Sequence, residues 1–387
     1  MAVQGVFTSD TGITGNRKGD FASSILQLYP TGTAPFFALT AGMESAGATD
    51  PIITWFEETH ITGRSTVTTG SNDTTTTTQT VDDASSYVPN VYVLVEETGE
   101  YLLITGVNGN VLTVSRGFAG TTPVNLTTGY HLQRIGTTFE EGSARPVAVA
   151  NQGYPAYNFM QIFRNTWDVT GTARVTEHYT GDLVAKNKAD CMQMHAEDIE
   201  RALWFGKATQ SVRSGKPYRT MDGILNIIKT NVTVAGSTTT YDQLDDFFRP
   251  IFERNVRGKP NERIAFCGNA ALQVINRIAR KNTTVFIEPG ETKAGLKINK
   301  WMTPFGDITL MTHPLMVEQP VWTKNLYVLH PGACRIRYLR RTRTDNYDSD
   351  GSRAGNDSDF GVLTSELSLE YKLEKTGGQL LGLTAAA

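Results

Sequence analysis

Cysteine is scarce in this chain: Cys191, Cys267 and Cys334 are the only ones in 387 residues. Their number is odd, their spacings are wide and no Cys-x-x-Cys pair occurs, which argues against a disulfide framework and a zinc site. Reduced thiols in a protein made in a cytosol are the simplest expectation. No apolar run approaches the roughly 18 residues of a membrane-spanning helix, so no membrane partner is expected. The stretch from Met1 to Asp20 is polar and lacks the apolar segment of a signal peptide. Charge of one sign is lacking too. Lys plus Arg is 36 and Asp plus Glu is 39, a formal net charge of −3, whereas a dedicated nucleic-acid binder usually carries a strongly basic domain.

Catalytic signatures are missing as well. Ser214-Gly215-Lys216-Pro217 resembles the tail of a phosphate-binding loop, but Gln210 stands where the first glycine belongs and Pro217 replaces the hydroxyl. No Gly-x-Ser-x-Gly elbow occurs, and no Gly-x-Gly-x-x-Gly follows a strand. His60, His131, His178, His195, His313 and His330 form no His-x-x-x-His pair. His195 reads as a polar helix position near Glu197 and Asp198, and His178 meets Glu177 only as a sequence neighbour. Glu57-Glu58, Glu96-Glu97 and Glu140-Glu141 are adjacent carboxylates, which face opposite ways on a strand. They do not suit the two sides of a glycosidase cleft and read as surface or interface charges. No enzyme, catalytic residue or cofactor is therefore expected. One pattern imitates a metal site: Asn346, Asp348, Asp350, Gly351 and Asp357 occupy the first, third, fifth, sixth and twelfth places of a calcium loop. Asn replaces Asp at the first place and Asp replaces Glu at the last, and the flanks read as strands, so a solvated acidic loop is expected rather than calcium.

What is present favours strands and turns: 36 glycines and many threonines. The predicted class is α+β with one long helix. Residues 1–50 read as an arm, with a turn at Tyr29-Pro30-Thr31-Gly32 and one short helix over Phe21, Ile25 and Leu28. Its apolar plug, Pro35-Phe36-Phe37-Ala38-Leu39, must pack on the rest of the chain or on a neighbour. Phe36 and Phe37 are therefore candidate subunit contacts, as are Trp55 and Phe56 on the strand that follows. The Thr-rich run Ser71 to Thr80 reads as a solvated connector or edge strand. Residues 81–136 read as a small β unit, with strands at Val91 to Val95, Glu100 to Thr105, Val111 to Val114 and Tyr130 to Ile135, and a hairpin turn at Asn108-Gly109. Such a unit, with no Cys or metal, is near the lower limit for autonomous stability and is expected to lean on a partner surface.

Beyond it, Phe159 to Val175 reads as strand. Asp182 to Phe205 is the longest helix candidate, with Asp182 as N-cap, Gly206 past its end, and Leu183, Met192, Ile199 and Leu203 near one stripe. Helices follow at Tyr241 to Asn255 and Asn269 to Arg280. Strands are expected at Arg263 to Cys267, Lys297 to Trp301, Asp307 to Thr312, Leu326 to Leu329, Cys334 to Leu339 and Leu363 to Leu373.

The densest basic stretch is Arg335, Arg337, Arg340, Arg341 and Arg343. In an unbroken strand Arg335, Arg337, Arg341 and Arg343 share a face and need anions. The neighbouring acidic loop, with Asp345, Asp348 and Asp350, suggests an intersubunit charge network. Nucleic-acid contact and a solvated face stay open.

The order of these elements resembles the major capsid proteins of tailed double-stranded DNA bacteriophages, with the Hong Kong 97 fold. The resemblance is carried by Tyr29-Pro30 to Leu39, by Gly99-Glu100-Tyr101-Leu102 to Arg116-Gly117, by Gln161-Ile162-Phe163 and Thr170-Gly171-Thr172-Ala173, by Thr303-Pro304-Phe305-Gly306 with His313-Pro314, and by Glu366-Leu367-Ser368-Leu369-Glu370. It implies an N-terminal arm (1–50), a first leg of an extended loop (51–80), a β-rich insertion (81–136), the loop's return with peripheral strands (137–180), a spine helix with peripheral domain (181–219), a mainly axial domain (220–296), and axial and peripheral strands (297–387). It also implies a virion protein made in the host bacterial cytoplasm. Its partners would be its own copies in hexamers and pentamers, a scaffolding protein, a portal protein and packaged double-stranded DNA held by weak non-specific contact. The insertion would be an intersubunit clamp, because apolar strands such as Val91 to Val95 need cover, or else a platform for a decoration protein. A tail or adhesion component, an encapsulin-like nanocompartment shell and an enzyme with a β-rich accessory module remain the alternatives.

Overall fold

The computed structural model describes residues 45–384 apart from 59, 61, 71–72, 147, 149–152, 178–180, 257, 259–260, 282–286, 289–291, 294–295, 298, 319 and 348–356. The chain divides into two units, 56–156 and the remainder.

The smaller unit contains a closed six-stranded barrel. Around it run Arg64–Thr69, Thr78–Val81, Val111–Ser115, Tyr101–Asn108, Val91–Val95 and His131–Thr137. The barrel thus begins at Arg64, not at Val81. The Thr-rich run hides its strand because the inward positions alternate Gln79 with Val81, each 1% exposed, so no apolar alternation marks it. The β-branched threonines nonetheless suit a strand. Closure also answers the need for cover. Val91, Val93 and Val95 are fully buried with Leu102, Ile104, Leu112, Leu126 and Leu132 inside the barrel's own core. An outside partner is not required to hide them.

Glu100 and Arg116-Gly117 form the lock of this barrel. Arg116 Nε donates to Glu100 Oε1 at 2.8 Å and a terminal nitrogen donates to Oε2 at 2.9 Å. The amides of Gly117 and Val124 donate to the same carboxylate at 3.1 and 3.0 Å. Arg116 in turn donates to the carbonyl of Val124. Burial pushes the Glu100 carboxyl up, but Arg116 and the two amides outweigh it and leave it below the ordinary 4.5. Gly117 has φ +67°, and a Cβ there would meet the Thr121 carbonyl at 2.9 Å, so the loop closes over the carboxylate only with glycine.

The larger unit holds two main sheets. One is four-stranded, in the order Ser45–Gly47, Cys334–Tyr347, Ser358–Tyr371, Gln161–Thr170. The other is seven-stranded, in the order Val232–Val234, Gly378–Leu381, Leu326–Leu329, Glu262–Cys267, Gly306–Thr312, Asn299–Thr303, Ile287–Glu288. The long helix, Leu183–Phe205, starts with the Val184 amide on Asp182 Oδ1 at 2.9 Å. It ends at Gly206, where a Cβ would meet the carbonyls of Ala202 and Met221 at 2.5 and 2.6 Å. Its buried stripe is Cys191, His195, Ile199 and Leu203, with Glu200 and Trp204. Met192 is not in it, being 52% exposed. Ile199, Leu203 and Trp204 join Phe163, Ile336, Leu367, Leu369 and Tyr371 in one core.

A second core fills the space between the seven-stranded sheet and the helices Tyr241–Phe252 and Asn269–Lys281. Pro250 lies in the last turn of the first of these helices and does not end it. The buried Arg263 guanidinium donates to the carbonyls of Ile251 and Arg254 at 3.2 and 2.8 Å, a cation placed where the helix dipole favours one. Burial lowers this guanidine to about 10.

Two other expectations are corrected. Thr170 caps the short helix Gly171–Val175, accepting from the Ala173 amide at 3.4 Å, so Gly171 to Val175 is not strand. The C-terminal strands are longer than their apolar cores, Cys334–Tyr347 and Ser358–Tyr371, because ion pairs and hydrogen bonds carry the ladder past them. Ser214-Gly215 is a hairpin turn joining Thr209–Arg213 to Lys216–Thr220, with φ +51° and +73°. All three cysteines are buried and free, and burial pushes Cys267 and Cys334 up to about 12. Among the described residues no helix is long and apolar enough to cross a membrane.

The lock predicts that Glu100→Gln, which leaves Arg116 buried without its counter-charge, destabilises the barrel by about 3 kcal/mol. Hydrogen exchange at the Gly117 and Val124 amides reads this directly. Because the Glu100 carboxyl is lowered on folding, its contribution is complete above its unfolded value of 4.5 and is lost as pH falls below it. Protection of those amides is therefore expected to hold from neutrality to pH about 5 and to decline in more acid solution.

Candidate functional site

The four-stranded sheet carries the arginine stretch, and its register decides which side chains share a face. Cys334–Tyr347 runs antiparallel to Ser358–Tyr371, pairing Arg335 with Glu370, Arg337 with Ser368, Arg340 with Glu366 and Arg343 with Thr364. Residues directly opposite in a ladder lie on the same face. Register shifts occur between Tyr338 and Arg340 and between Arg340 and Arg343. The shared face is therefore Arg335, Arg337, Arg340 and Arg343. Arg340 takes the place expected of Arg341, because each bulge adds a residue and resets the alternation.

The anions for this face come from the same chain. Arg340 Nε lies 2.6 Å from Glu366 Oε2, and Arg337 Nε lies 3.2 Å from Glu370 Oε2, with Lys372 Nζ 2.9 Å from Oε1 of that Glu370. Glu366 and Glu370 are 7% and 3% exposed. Arg343 approaches Asp345 at 3.4 Å, and Arg341 lies 5.9 Å from the Tyr338 ring centroid. Arg337, one of the expected subunit contacts, and Arg340, which was not among them, thus find carboxylates within the chain at Glu370 and Glu366 of the adjoining strand. A face neutralised in this way has less cationic charge to offer phosphate. In the calcium pattern, Asn346 is a ladder residue opposite Gly361, and the Asp357 carbonyl accepts from the Gly171 amide at 3.1 Å. Asp348 and Asp350 lie outside the described residues, as do Phe36 and Phe37.

The opposite face receives the long helix. His195 Nδ1 lies 2.6 Å from Asn165 Oδ1, and Nε2 lies 2.7 Å from Ser365 Oγ. Asn165 also donates to Asp198 at 2.9 Å, and Ser365 Oγ is 2.8 Å from Thr342 Oγ1. The order Ser365, His195, Asn165 imitates a nucleophile, its base and an orienting amide. Ser365 is fully buried and His195 is 3% exposed, so the hydroxyl has no access to a substrate in this structure. The arrangement instead pins three strands to the helix. His195 is thus a polar position on the helix, but a buried one. Burial lowers its basicity against the opposing pull of Asp198. A second buried contact, His313 Nε2 to Glu200 Oε1 at 2.6 Å, ties the same helix to the residue preceding the helix Pro314–Glu318.

Exposed apolar side chains are placed elsewhere. Phe56, on Ile52–Glu57, is 76% exposed, whereas its neighbour Trp55 is half-buried. Tyr154 and Tyr157 are exposed on Tyr154–Phe159. Ile162 is 52% exposed on the strand Gln161–Thr170, on the side away from the core residue Phe163. Glu96 and Glu97 are surface charges, as expected: Arg64 pairs with Glu96 at 2.8 Å and His131 Nδ1 with Glu97 at 2.6 Å.

Two outcomes follow from this geometry. Glu370→Gln is expected to destabilise the unassembled chain by about 3 kcal/mol, read as a lower melting temperature before any particle forms. An intersubunit network would leave the unassembled chain unchanged. His195 is less basic folded than its ordinary 6.5, so its contribution is complete above 6.5 and declines as pH falls below it. His195→Gln is expected to flatten that part of the stability profile measured by denaturant titration.

Comparison with known proteins agrees with the fold. The SU10 major capsid protein family model matches residues 7–384. The major capsid protein of Pseudomonas phage PaMx41 is 30% identical over 95% of this chain and 92% of its own length. A solved structure of Mycobacterium phage Cain superposes with TM-score 0.51 at 8% identity, over 99% of each chain. That of Mycobacterium phage Adephagia gives 0.51 at 8% over 99% of this chain and all of its own, and the capsid of a native GTA particle gives 0.50 at 6% over 98% and 100%. The long helix, the four-stranded sheet behind it and the seven-stranded sheet are thus those of a Hong Kong 97-fold phage capsid protein, and the chain belongs to the SU10 major capsid protein family.

Proposed function

We propose that the chain assembles as hexamers and pentamers into an icosahedral shell around double-stranded phage DNA. The family match across residues 7–384 carries this reading. Side chains such as Phe56, Tyr157, Ile162 and Met194, 76%, 62%, 52% and 59% exposed, support it, since large apolar groups left in water suit burial between copies. Identical heterologous contacts close into rings and shells when the rotation permits, and many modest contacts per copy add up. No catalytic role is assigned. The triad-like order at Ser365 is closed to substrate and serves packing.

On this reading residues 1–50 are the arm, the strands Ile52–Glu57 and Tyr154–Phe159 begin and end the extended loop, Leu183–Phe205 is the spine, the four-stranded sheet is peripheral and the seven-stranded sheet is axial. The barrel is the insertion in the loop. Since it covers its own apolar strands, its outer surface is available to a decoration protein or a neighbour. A scaffolding protein and a portal protein act during assembly in the bacterial cytoplasm, and Phe36, Phe37, Trp55 and Phe56 contribute to contacts between copies. The net charge of −3 and the in-chain neutralisation of Arg337 and Arg340 suit a wall that encloses DNA without gripping it.

Negative-stain electron microscopy of the chain, expressed alone and with its scaffold, tests the proposal. Closed icosahedral shells or rings of five and six are expected. Persistent monomers with the scaffold present would refute it.

A further inference from the structure

The hairpin Thr209–Arg213 and Lys216–Thr220 has little apparent role within its own chain. All of 209–213 and 216–218 are exposed. It is nonetheless built to hold a shape, with a ladder running from Thr209–Thr220 to Arg213–Lys216 across the Ser214-Gly215 turn. From Lys207 to Thr220 the sequence carries Lys207, Arg213, Lys216 and Arg219 and no carboxylate. No ion pair between these cations and a described residue occurs. Arg213 instead lies over the Tyr218 ring at 5.1 Å. Val212 is 66% exposed and Tyr218 39%. This is a preformed cationic ribbon with apolar side chains in water.

The complementary surface is on the helix Tyr241–Phe252. Asp242, Asp245 and Asp246 crowd its N-terminal half, with Asp242 and Asp246 exposed. Burial, and then the neighbouring Asp242 and Asp246, raise the Asp245 carboxyl. The helix dipole favours a carboxylate in the first turn and fades beyond it, which accounts for Asp242 but not for Asp245 and Asp246. No described cation forms an ion pair with any of the three.

We infer that the cationic hairpin of one copy docks on the Asp242–Asp245–Asp246 turn of the next copy, with Val212 and Tyr218 covered at the contact. Phosphate would also satisfy the cations, but it would not cover the apolar side chains, whereas a neighbouring protein surface does both. The inference rests on the shell reading and adds to it the surfaces that meet.

The test reverses the ribbon's charge and then restores the pairing. Arg213→Glu with Lys216→Glu, both exposed and without an ion pair to a described residue, places like charges against the aspartates, which disfavours the contact. The fraction of chain sedimenting as shells is expected to fall by about tenfold or more. Adding Asp242→Lys and Asp246→Lys in the same chain is expected to recover most of it. A second variant, Val212→Cys with Asp246→Cys, reads the geometry without altering the ribbon's charge. Since the native thiols are buried, oxidation is expected to give a ladder of covalent oligomers, each single-cysteine chain stopping at dimers. Wild-type yield of shells from the reversed ribbon, failure of the paired reversal to rescue, or absence of a ladder would overturn the inference. Normal shells that lose only their DNA would overturn it in favour of phosphate. A wild-type chain that forms no shell would defeat the underlying reading, whereas normal shells from the reversed ribbon defeat this inference alone.

Discussion

The ladder between Cys334–Tyr347 and Ser358–Tyr371 is the constraint on which the larger unit depends. One face supplies Ile336, Leu367 and Leu369 to the core beneath the long helix. The other sets Glu366 and Glu370 beside Arg340 and Arg337. A slip of one residue would exchange these faces, exposing the leucines and driving the glutamates into the core. The register is therefore fixed twice, by apolar burial on one side and by charge pairing on the other. His195 restrains the neighbouring ladder, Gln161–Thr170 on Ser358–Tyr371, since its ring meets Asn165 of one strand and Ser365 of the other.

The barrel meets a different requirement. A small β unit gains stability by closing, because closure removes the strand edges and gives each inward side chain a partner across the barrel. Among the described residues its one buried ion pair, Glu100 with Arg116, sits at the loop after Val111–Ser115, where the chain must reverse without regular structure. Glu100 there satisfies two loop amides as well as Arg116, so the loop costs the barrel few unpaired polar groups. Residues implied by family resemblance thus acquire physical reasons. Arg116-Gly117 is a counter-ion and a left-handed turn. At Thr303 to Gly306 the Thr303 hydroxyl bonds the Gly306 backbone at 2.6 and 3.2 Å. His313 meets a buried carboxylate of the long helix.

Much of this was legible in the sequence. The long helix, with Asp182 before it and Gly206 after it, followed from capping and the absence of Gly and Pro. The barrel strands from Val91 onward followed from alternation and the turn at Asn108-Gly109. What was hidden was hidden for local reasons. Gln79 occupies an inward barrel position, so Thr78–Val81 reads as part of a connector or edge strand rather than as a barrel strand. Two bulges exchange Arg341 for Arg340, and a bulge leaves no mark in an unbroken basic run. His195 sits between acidic neighbours in sequence yet faces Asn165 and Ser365 in space, partners that lie 30 and 170 residues away. Glu366 and Glu370 were visible as a motif, but their role as counter-ions depends on a pairing that only the fold supplies.

The chain neutralises Arg337 and Arg340 internally, and other surfaces are expected to meet its neighbours. A cryo-electron microscopy map of the assembled particle at side-chain resolution tests it most directly. Arg340 on Glu366 and Arg337 on Glu370 are expected within every subunit, with the Ser214-Gly215 hairpin against an adjoining copy. Arginines reaching instead across the subunit boundary to a neighbour's carboxylates would contradict it.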